Sequence, residues 1–440
     1  MSFSIDNQTL DELNLLGKFR AGSVYSLFNH IKTRGGEQLL DRMFRTPLTD
    51  AKAINERSGI FQLFQSRQAT FPFDVQEISQ MREYLDTGAG KNMAVTLGST
   101  LVKKILSDLT RDERYKKMVQ GLQATILTLN KCHDFVKEMV GSMPVGGAYF
   151  ERLREVGVLL ADRRLEKLRA IDIYTALPLR VLAFYDHQLK NGLYEQMEAI
   201  LSFAYELDVN IAVSDVARAR GWSYAKACVA EANLLSASGL YHPGLKRGVG
   251  NSISLDGAHN VLFLTGANMA GKSTWMKSVG IGIYLAHMGF PVAAARMEFS
   301  VREGLYSSIN VADNIGLGYS HFYAEVVRVK QAAEATASGK RLLLMFDELF
   351  KGTNVKDAYD GTLAVTEAFA EYRNCLFIVS THIIEVGEAL KEHSNIRPVY
   401  MPTIMDGAHP RYTYQLQDGI TEDRQGMMII RNEGILELIG

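Results

Sequence analysis

Nine consecutive residues, Gly266, Ala267, Asn268, Met269, Ala270, Gly271, Lys272, Ser273 and Thr274, carry the pattern GxxxxGK[ST] in their first eight positions. These residue types suit the cradling of a polyphosphate such as ATP. Glycines at both ends let successive backbone N–H groups turn toward phosphate oxygens, and a helix starting there adds the partial positive charge of its N-terminus. The Lys272 ammonium would reach the β- and γ-phosphates, and the Ser273 hydroxyl would ligate Mg2+. A second element, residues 342–348, is an apolar run ending in two carboxylates. Asp347 at its tip would hold the Mg2+ shell, and Glu348 would orient and polarise the attacking water. Alone that ending is common; beside a phosphate loop it gains meaning. A third run ends at Ser380-Thr381-His382. His382 stands there either near the γ-phosphate and its water or as a hydrogen-bonded histidine at a helix start. In the glycine-rich stretch 313–323, Ser320 is by default the N-cap of the following helix.

For these groups to meet, parallel strands must end side by side. Short apolar runs at 261–265, 342–346 and 376–380 are strand candidates separated by helical stretches, the first of which runs to Gly289. Alternating strands and helices predict a mainly parallel sheet covered on both faces. Upstream of about residue 240 the chain reads as helical throughout. Val24, Leu27, Phe28 and Ile31 share one helix face, and Leu39, Leu40, Met43 and Phe44 resume it after Gly35-Gly36, with Pro47 closing the unit. Leu153, Val156, Leu160 and Leu168 predict one long helix, and Leu189, Leu193, Met197, Ile200, Leu201 and Ala204 another, both of lever-like length. Residues 66–150 mix helical pattern with weak segments such as LDTGAGKNMA. The expected fold class is multi-domain α and α/β: a mostly helical domain over residues 1–238 and a P-loop NTPase domain of α/β type over 239–440, with the break near His242-Pro243.

Composition narrows the function classes. The 440 residues are 47% hydrophobic and 22% charged with a formal net charge of −1, so no global basic excess advertises nucleic-acid binding. Any polyanion must meet a local patch. Lys103-Lys104, Lys116-Lys117, Arg163-Arg164 and Arg169 could touch phosphates, although acidic neighbours favour solvated helix faces. Cys132, Cys228 and Cys375 are too scattered for a disulfide framework or a CxxC metal site, which suits a reducing cytoplasm. No signal-like N-terminus and no apolar run of about 18 residues is present, so no membrane role is expected.

Taken together, the motifs resemble those of the MutS family of DNA mismatch-repair ATPases. TGANMAGKST at 265–274, DELFKGTN at 347–354, Asp360-Gly361 and the Ser380-Thr381-His382 triplet follow the family order, and HPGL at 242–245 with Asn251 resembles the lead-in to its ATPase domain. SLFNHIKTRGGEQLLDRMFRTPL at 26–48 looks like the start of its helical core and lever domain. The resemblance implies an ABC-type ATPase domain with ATP and Mg2+ as cofactors, and a homodimer acting on DNA. It makes Asp347 and Glu348 the Walker B pair, puts Asn268 near the γ-phosphate, makes His382 the sensor of the attacking water, and has Ser320 act in trans on the partner's γ-phosphate. Phe350-Lys351 depart from the usual Gly-Arg, and the segment 354–360 is about two residues longer than usual. YTYQLQDG lacks the histidine expected to stack on adenine. In that family mismatches are read by an N-terminal domain with a Phe-x-Glu wedge, whereas this sequence starts at the helical core. Its two Phe-x-Glu triplets, Phe346-Asp347-Glu348 and Phe369-Ala370-Glu371, lie in the Walker B strand and in a helix.

The leading expectation is a dimeric ATPase of DNA repair or recombination whose levers move on DNA, binding duplex or branched DNA with little sequence or mismatch specificity, alongside possible repair partner proteins. The alternative is an ATP-dependent dimerisation switch or scaffold that does not grip DNA. A transporter ATPase ranks low, because no LSGGQ-like signature is present.

Overall fold

The computed structural model describes residues 2–18, 20, 22–110, 112–143, 146–309, 321–406, 409–421 and 438. The chain packs as two compact units: Asn29–Arg42 with Leu63–Asp215, and Met1–Phe28 with Met43–Gln62 and Val216–Gly440. Among the described residues no helix is long and apolar enough to cross a membrane.

The first unit is helical. Residues 66–150, weakly patterned in sequence, hold the helices Val75–Asp86, Met93–Thr110 and Arg114–Gly141, and the break between the first two falls inside LDTGAGKNMA. The 28-residue helix Arg114–Gly141 is about 42 Å long at 1.5 Å per residue. It packs along Val75–Asp86 because Gly121 offers no Cβ, which would overlap Tyr84. The apolar series Leu153, Val156, Leu160 and Leu168 belongs to two helices, Ala148–Leu160 and Arg163–Arg169. Both bury the same face, so the pattern reads through the break. Asp162 restarts the helix as N-cap, accepting from the Arg164 N–H at 2.8 Å. The second lever pattern begins in a π-helical turn, Gln188–Gly192, and continues in Tyr194–Arg220.

Two further expectations are corrected here. The helix expected through Ile31 is only Val24–Phe28. Beyond it, the Lys32 and Thr33 N–H groups donate to buried Asp208, at 3.1 and 2.7 Å, and are not free to extend a helix. Gly35-Gly36 do not interrupt a helix; they lie in the first turn of Arg34–Arg45. A Cβ on Gly35 would overlap the Tyr205 ring, and one on Gly36 would stand 2.9 Å from the Asp208 carboxylate. The glycines serve close approach, while Thr33 caps the helix by accepting from the Gly36 N–H at 3.1 Å.

The second unit contains a six-stranded sheet of β1 (Val261–Gly266), β2 (Gly304–Ser308), β3 (Leu342–Asp347), β4 (Leu376–Ser380), β5 (Ile396–Met401) and β6 (Gln417–Asp418). Its order is β6-β5-β1-β4-β3-β2, parallel except for β6. All six residues of β1 are buried, as a strand covered on both faces requires. Strands also begin before residue 240. Ser223–Tyr224, Lys226–Cys228 and Leu235–Leu240 precede it, and the last two form a second sheet with Asn251–Leu255 and Arg296–Ser300. Leu235–Leu240, of sequence LSASGL, is too small and polar to announce a strand. The helix Asn7–Glu12 belongs to this unit as well. Glu12 accepts from the Ile309 N–H at 3.0 Å and from the Ser307 hydroxyl, and Asp6 pairs with Arg328.

Candidate nucleotide site

The glycine loop joins β1 to the helix Lys272–His287. Gly266 and Gly271 have φ of 144° and 99°, where L side chains are strained. Space excludes side chains there too: a Cβ on Gly266 would stand 3.1 Å from the Met401 carbonyl oxygen, and one on Gly271 2.9 Å from Tyr414 Cδ1. Asn268 and Met269 are exposed at the loop tip, Met269 with φ of 69°. Lys272 is buried, and its ammonium donates to the carbonyls of Gly266 at 2.8 Å and Ala267 at 3.1 Å. Burial pushes this ammonium below its usual pKa, with the charges of Asp347 and Glu348 opposing.

Register brings the other groups to the same sheet edge. Ser380 at the end of β4 pairs with Leu264 of β1 on one side and with Asp347 of β3 on the other. Asp347 accepts from the Ser273 hydroxyl through Oδ2. Its Oδ1 is buried without a hydrogen-bond partner, as is the Ser380 hydroxyl. Burial raises the Asp347 carboxyl above the usual carboxylate range, partly offset by the Ser273 hydroxyl and by the Ser380 hydroxyl, which lies near it without meeting hydrogen-bond geometry. Glu348 follows with φ of 52°, its N–H donating to the Ser380 carbonyl at 2.8 Å. His382 Nδ1 lies 3.6 Å from Glu348 Oε1, and the imidazole holds the Glu348 carboxyl below its ordinary range. Thus Lys272, Ser273, Asp347, Glu348 and His382, spread over 111 positions of sequence, meet at the ends of adjacent strands. Ser320 lies outside the described residues.

The loop after Glu348 explains one departure in sequence. Phe350, with φ of 61°, is buried in the core beside Phe322, their ring centroids 6.1 Å apart. Gly361 makes room for it, since a Cβ there would stand 2.9 Å from Phe350 Cδ2. Asn354 then caps the helix Val355–Ala370 by accepting from the Asp357 N–H at 3.0 Å.

Sequence reasoning missed Tyr414, whose ring covers Gly271 and pairs with Tyr412 at 6.3 Å. Asn251 fixes this segment: its amide donates to the Tyr414 carbonyl at 2.9 Å and accepts from the Leu416 N–H at 2.7 Å. The alternating tyrosines of YTY were the available signal.

Chemically, the arrangement offers an ammonium and a helix N-terminus to anionic oxygens, and a hydroxyl and a carboxylate with one free oxygen to a hard cation. It also offers a second, ionised carboxylate as proton acceptor. Among the described residues no group of three or more His, Cys, Asp or Glu could by itself hold a metal.

Residues 262–439 match MutS domain V, and residues 8–209 match MutS domain III. The DNA mismatch repair protein MutS of Shouchella clausii is 26% identical over 322 residues, covering 67% of this chain and 37% of that protein. MutS of Fusobacterium nucleatum subsp. nucleatum is 26% identical over 261 residues, covering 57% and 29%. The DNA mismatch repair protein spellchecker 1 of Drosophila melanogaster is 28% identical over 172 residues, covering 39% and 18%. These matches span well under half of the length of each relative. With residues 8–209 matching domain III and a glycine loop and acidic strand tip that fall within domain V, the chain belongs to the MutS family.

Proposed function

We propose that this chain is a DNA-dependent ATPase of mismatch repair or recombination, hydrolysing Mg-ATP at the glycine-loop site and coupling it to movement of its helical levers on DNA. The observation that carries this reading is the meeting of the Ser273–Asp347 pair, with its free buried Oδ1, and the Glu348–His382 pair beside Lys272. Backbone N–H groups of residues 266–274 and the Lys272 ammonium bind the phosphates. Ser273 and Asp347 fit Mg2+, an ion that keeps most of its shell for water and phosphate rather than for protein ligands. When bound, it neutralises charge on the phosphoryl oxygens. Glu348 accepts the proton of the attacking water, and His382 holds that carboxylate ionised and in place. Ser320 would complete the site of a second copy, making each site a product of a homodimer. The division expected at 1–238 and 239–440 shifts accordingly: the helical unit of residues 29–42 and 63–215 acts as core and levers and the sheet unit as the ATPase part, in the cytoplasm, with repair proteins as further partners.

Discrimination between mismatched and perfect duplex should be small. Phe346 and Phe369, which begin the two Phe-x-Glu triplets, are buried and stacked on each other at 5.3 Å, so neither can wedge into DNA. The test is an anisotropy titration of matched, single-mismatch and four-way-junction DNA at fixed salt and nucleotide, with ATP turnover measured alongside. DNA stimulation of turnover supports the proposal. Absence of both DNA binding and stimulation replaces it with a dimerisation switch. A mismatch preference of about tenfold or more, about 1.4 kcal/mol, refutes the expected lack of discrimination.

A further inference from the structure

The helical unit encloses a cavity of about 530 Å³ separate from the nucleotide site, within the usual range for small-ligand pockets. Tyr84 and Met118, both buried, form its apolar floor. The Lys190 ammonium sits 4.0 Å from the Tyr84 ring centroid and is already answered, by Asp186 at 2.7 Å and by the Thr87 hydroxyl at 2.7 Å. At the rim stand Lys103, from Met93–Thr110, and Arg114 and Lys117, from Arg114–Gly141. Arg114 pairs with Asp112 at 2.6 Å. Among the described residues Lys103 and Lys117 form no ion pair, and Glu83 is the one carboxylate of the lining. Burial pushes the Lys190 ammonium down, opposed by the Asp186 carboxylate, with the charge of Lys103 a smaller contribution in the direction of burial. The two clusters Lys103-Lys104 and Lys116-Lys117 thus each send one lysine to a common cavity and keep the other out of it.

We propose that this cavity binds a nucleoside phosphate, the phosphate held between Lys103 and Lys117 and the nucleoside resting on Tyr84 and Met118. The same chemistry is offered by a free nucleotide and by the phosphorylated end of a DNA strand. The full chain carrying Lys272→Ala, which removes the glycine-loop ammonium, is titrated calorimetrically with dAMP, with a 5′-phosphorylated thymidine dinucleotide and with unphosphorylated thymidine. Saturable binding of the phosphorylated probes is expected, weakened about tenfold or more by Lys103→Ala with Lys117→Ala, since two charge-assisted contacts are lost. Lys104→Ala with Lys116→Ala, from the same clusters but outside the cavity, should leave it unchanged. Circular dichroism and melting curves establish that both pairs of variants are folded. Tighter binding of dAMP identifies a free nucleotide as ligand, and tighter binding of the dinucleotide a strand end. Equal weakening by both pairs of variants, thymidine binding as well as the phosphorylated probes, or no saturable binding would each overturn the proposal.

Discussion

Replacing Glu348 by Gln removes the proposed proton acceptor while preserving shape. The backbone at 348 is held by its N–H to the Ser380 carbonyl and by its positive φ, neither of which depends on the carboxylate. Lys272 and the Ser273–Asp347 pair are untouched, so Mg-ATP should bind as before. Removal of a general base costs about 10²–10⁴-fold in rate. The His382 imidazole holds the Glu348 carboxyl below its ordinary range, which keeps it ionised but makes it a weaker base. The lower part of that range is therefore expected, about 10²–10³-fold in kcat, or about 2.7–4.1 kcal/mol. The sign for pH follows from the same depression. The folded carboxyl has the lower pKa, so the contact with His382 stabilises above the unfolded value and is lost as pH falls through the folded one. Turnover should lose the contribution of Glu348 only below the ordinary glutamate range, and this group should be silent between about pH 6 and 8. Steady-state phosphate release, with binding of a fluorescent ATP analogue as control, measures both quantities. Turnover of the variant within about threefold of wild type would refute the assignment of Glu348 as base.

Asp347 behaves oppositely, because burial raises its folded pKa, so its ionised form is penalised in the fold and stability is regained as pH falls through that raised value. Asp347→Asn should raise the melting temperature of the nucleotide-free protein at neutral pH and abolish the further rise on adding Mg-ATP; a lowered melting temperature without nucleotide sinks this reading. Lys272→Ala should lose nucleotide affinity, and mixing it with Ser320→Ala chains should recover activity that neither variant has alone, by forming one intact site per heterodimer. No recovery on mixing, or undiminished activity at dilutions shown to be monomeric, would exclude action of Ser320 in trans. Asp208→Ala should destabilise the protein by about 2–4 kcal/mol in urea unfolding, since the Lys32 and Thr33 N–H groups and the Thr33 hydroxyl lose their acceptor together. A loss under about 0.5 kcal/mol would mean that water replaces the carboxylate.

The site groups were legible because the phosphate pattern and the acidic strand tip are fixed by backbone chemistry over a few adjacent residues. Burial on both faces also made β1, β3 and β4 continuous apolar runs. What stayed hidden depended on partners far along the chain. Gly35-Gly36 read as a break because Tyr205 and Asp208, the reasons for glycine, lie about 170 positions away. Leu153 to Leu168 read as one helix because an apolar face records burial but not the Asp162 cap that divides it. The long helix Arg114–Gly141 escaped notice because it buries small and polar residues, Gly121, Ala124, Thr125 and Thr128, among its larger ones. Strand Leu235–Leu240 lacked the branched and aromatic residues that mark strands. Tyr414 is held at the glycine loop by distant partners, among them the Asn251 amide and the Pro402 carbonyl that accepts from Thr413.

That amide joins positions 163 and 165 residues apart. Contacts of such separation close late, because the intervening chain must first be ordered. During synthesis the glycine loop, its helix and β3 can assemble while Gly271 is still bare, and its aromatic cover arrives only when residues 409–421 emerge and Asn251 captures them. The wall beside the loop is thereby a record of completed folding, and a chain stalled before it would have the loop glycines in place with Gly271 uncovered.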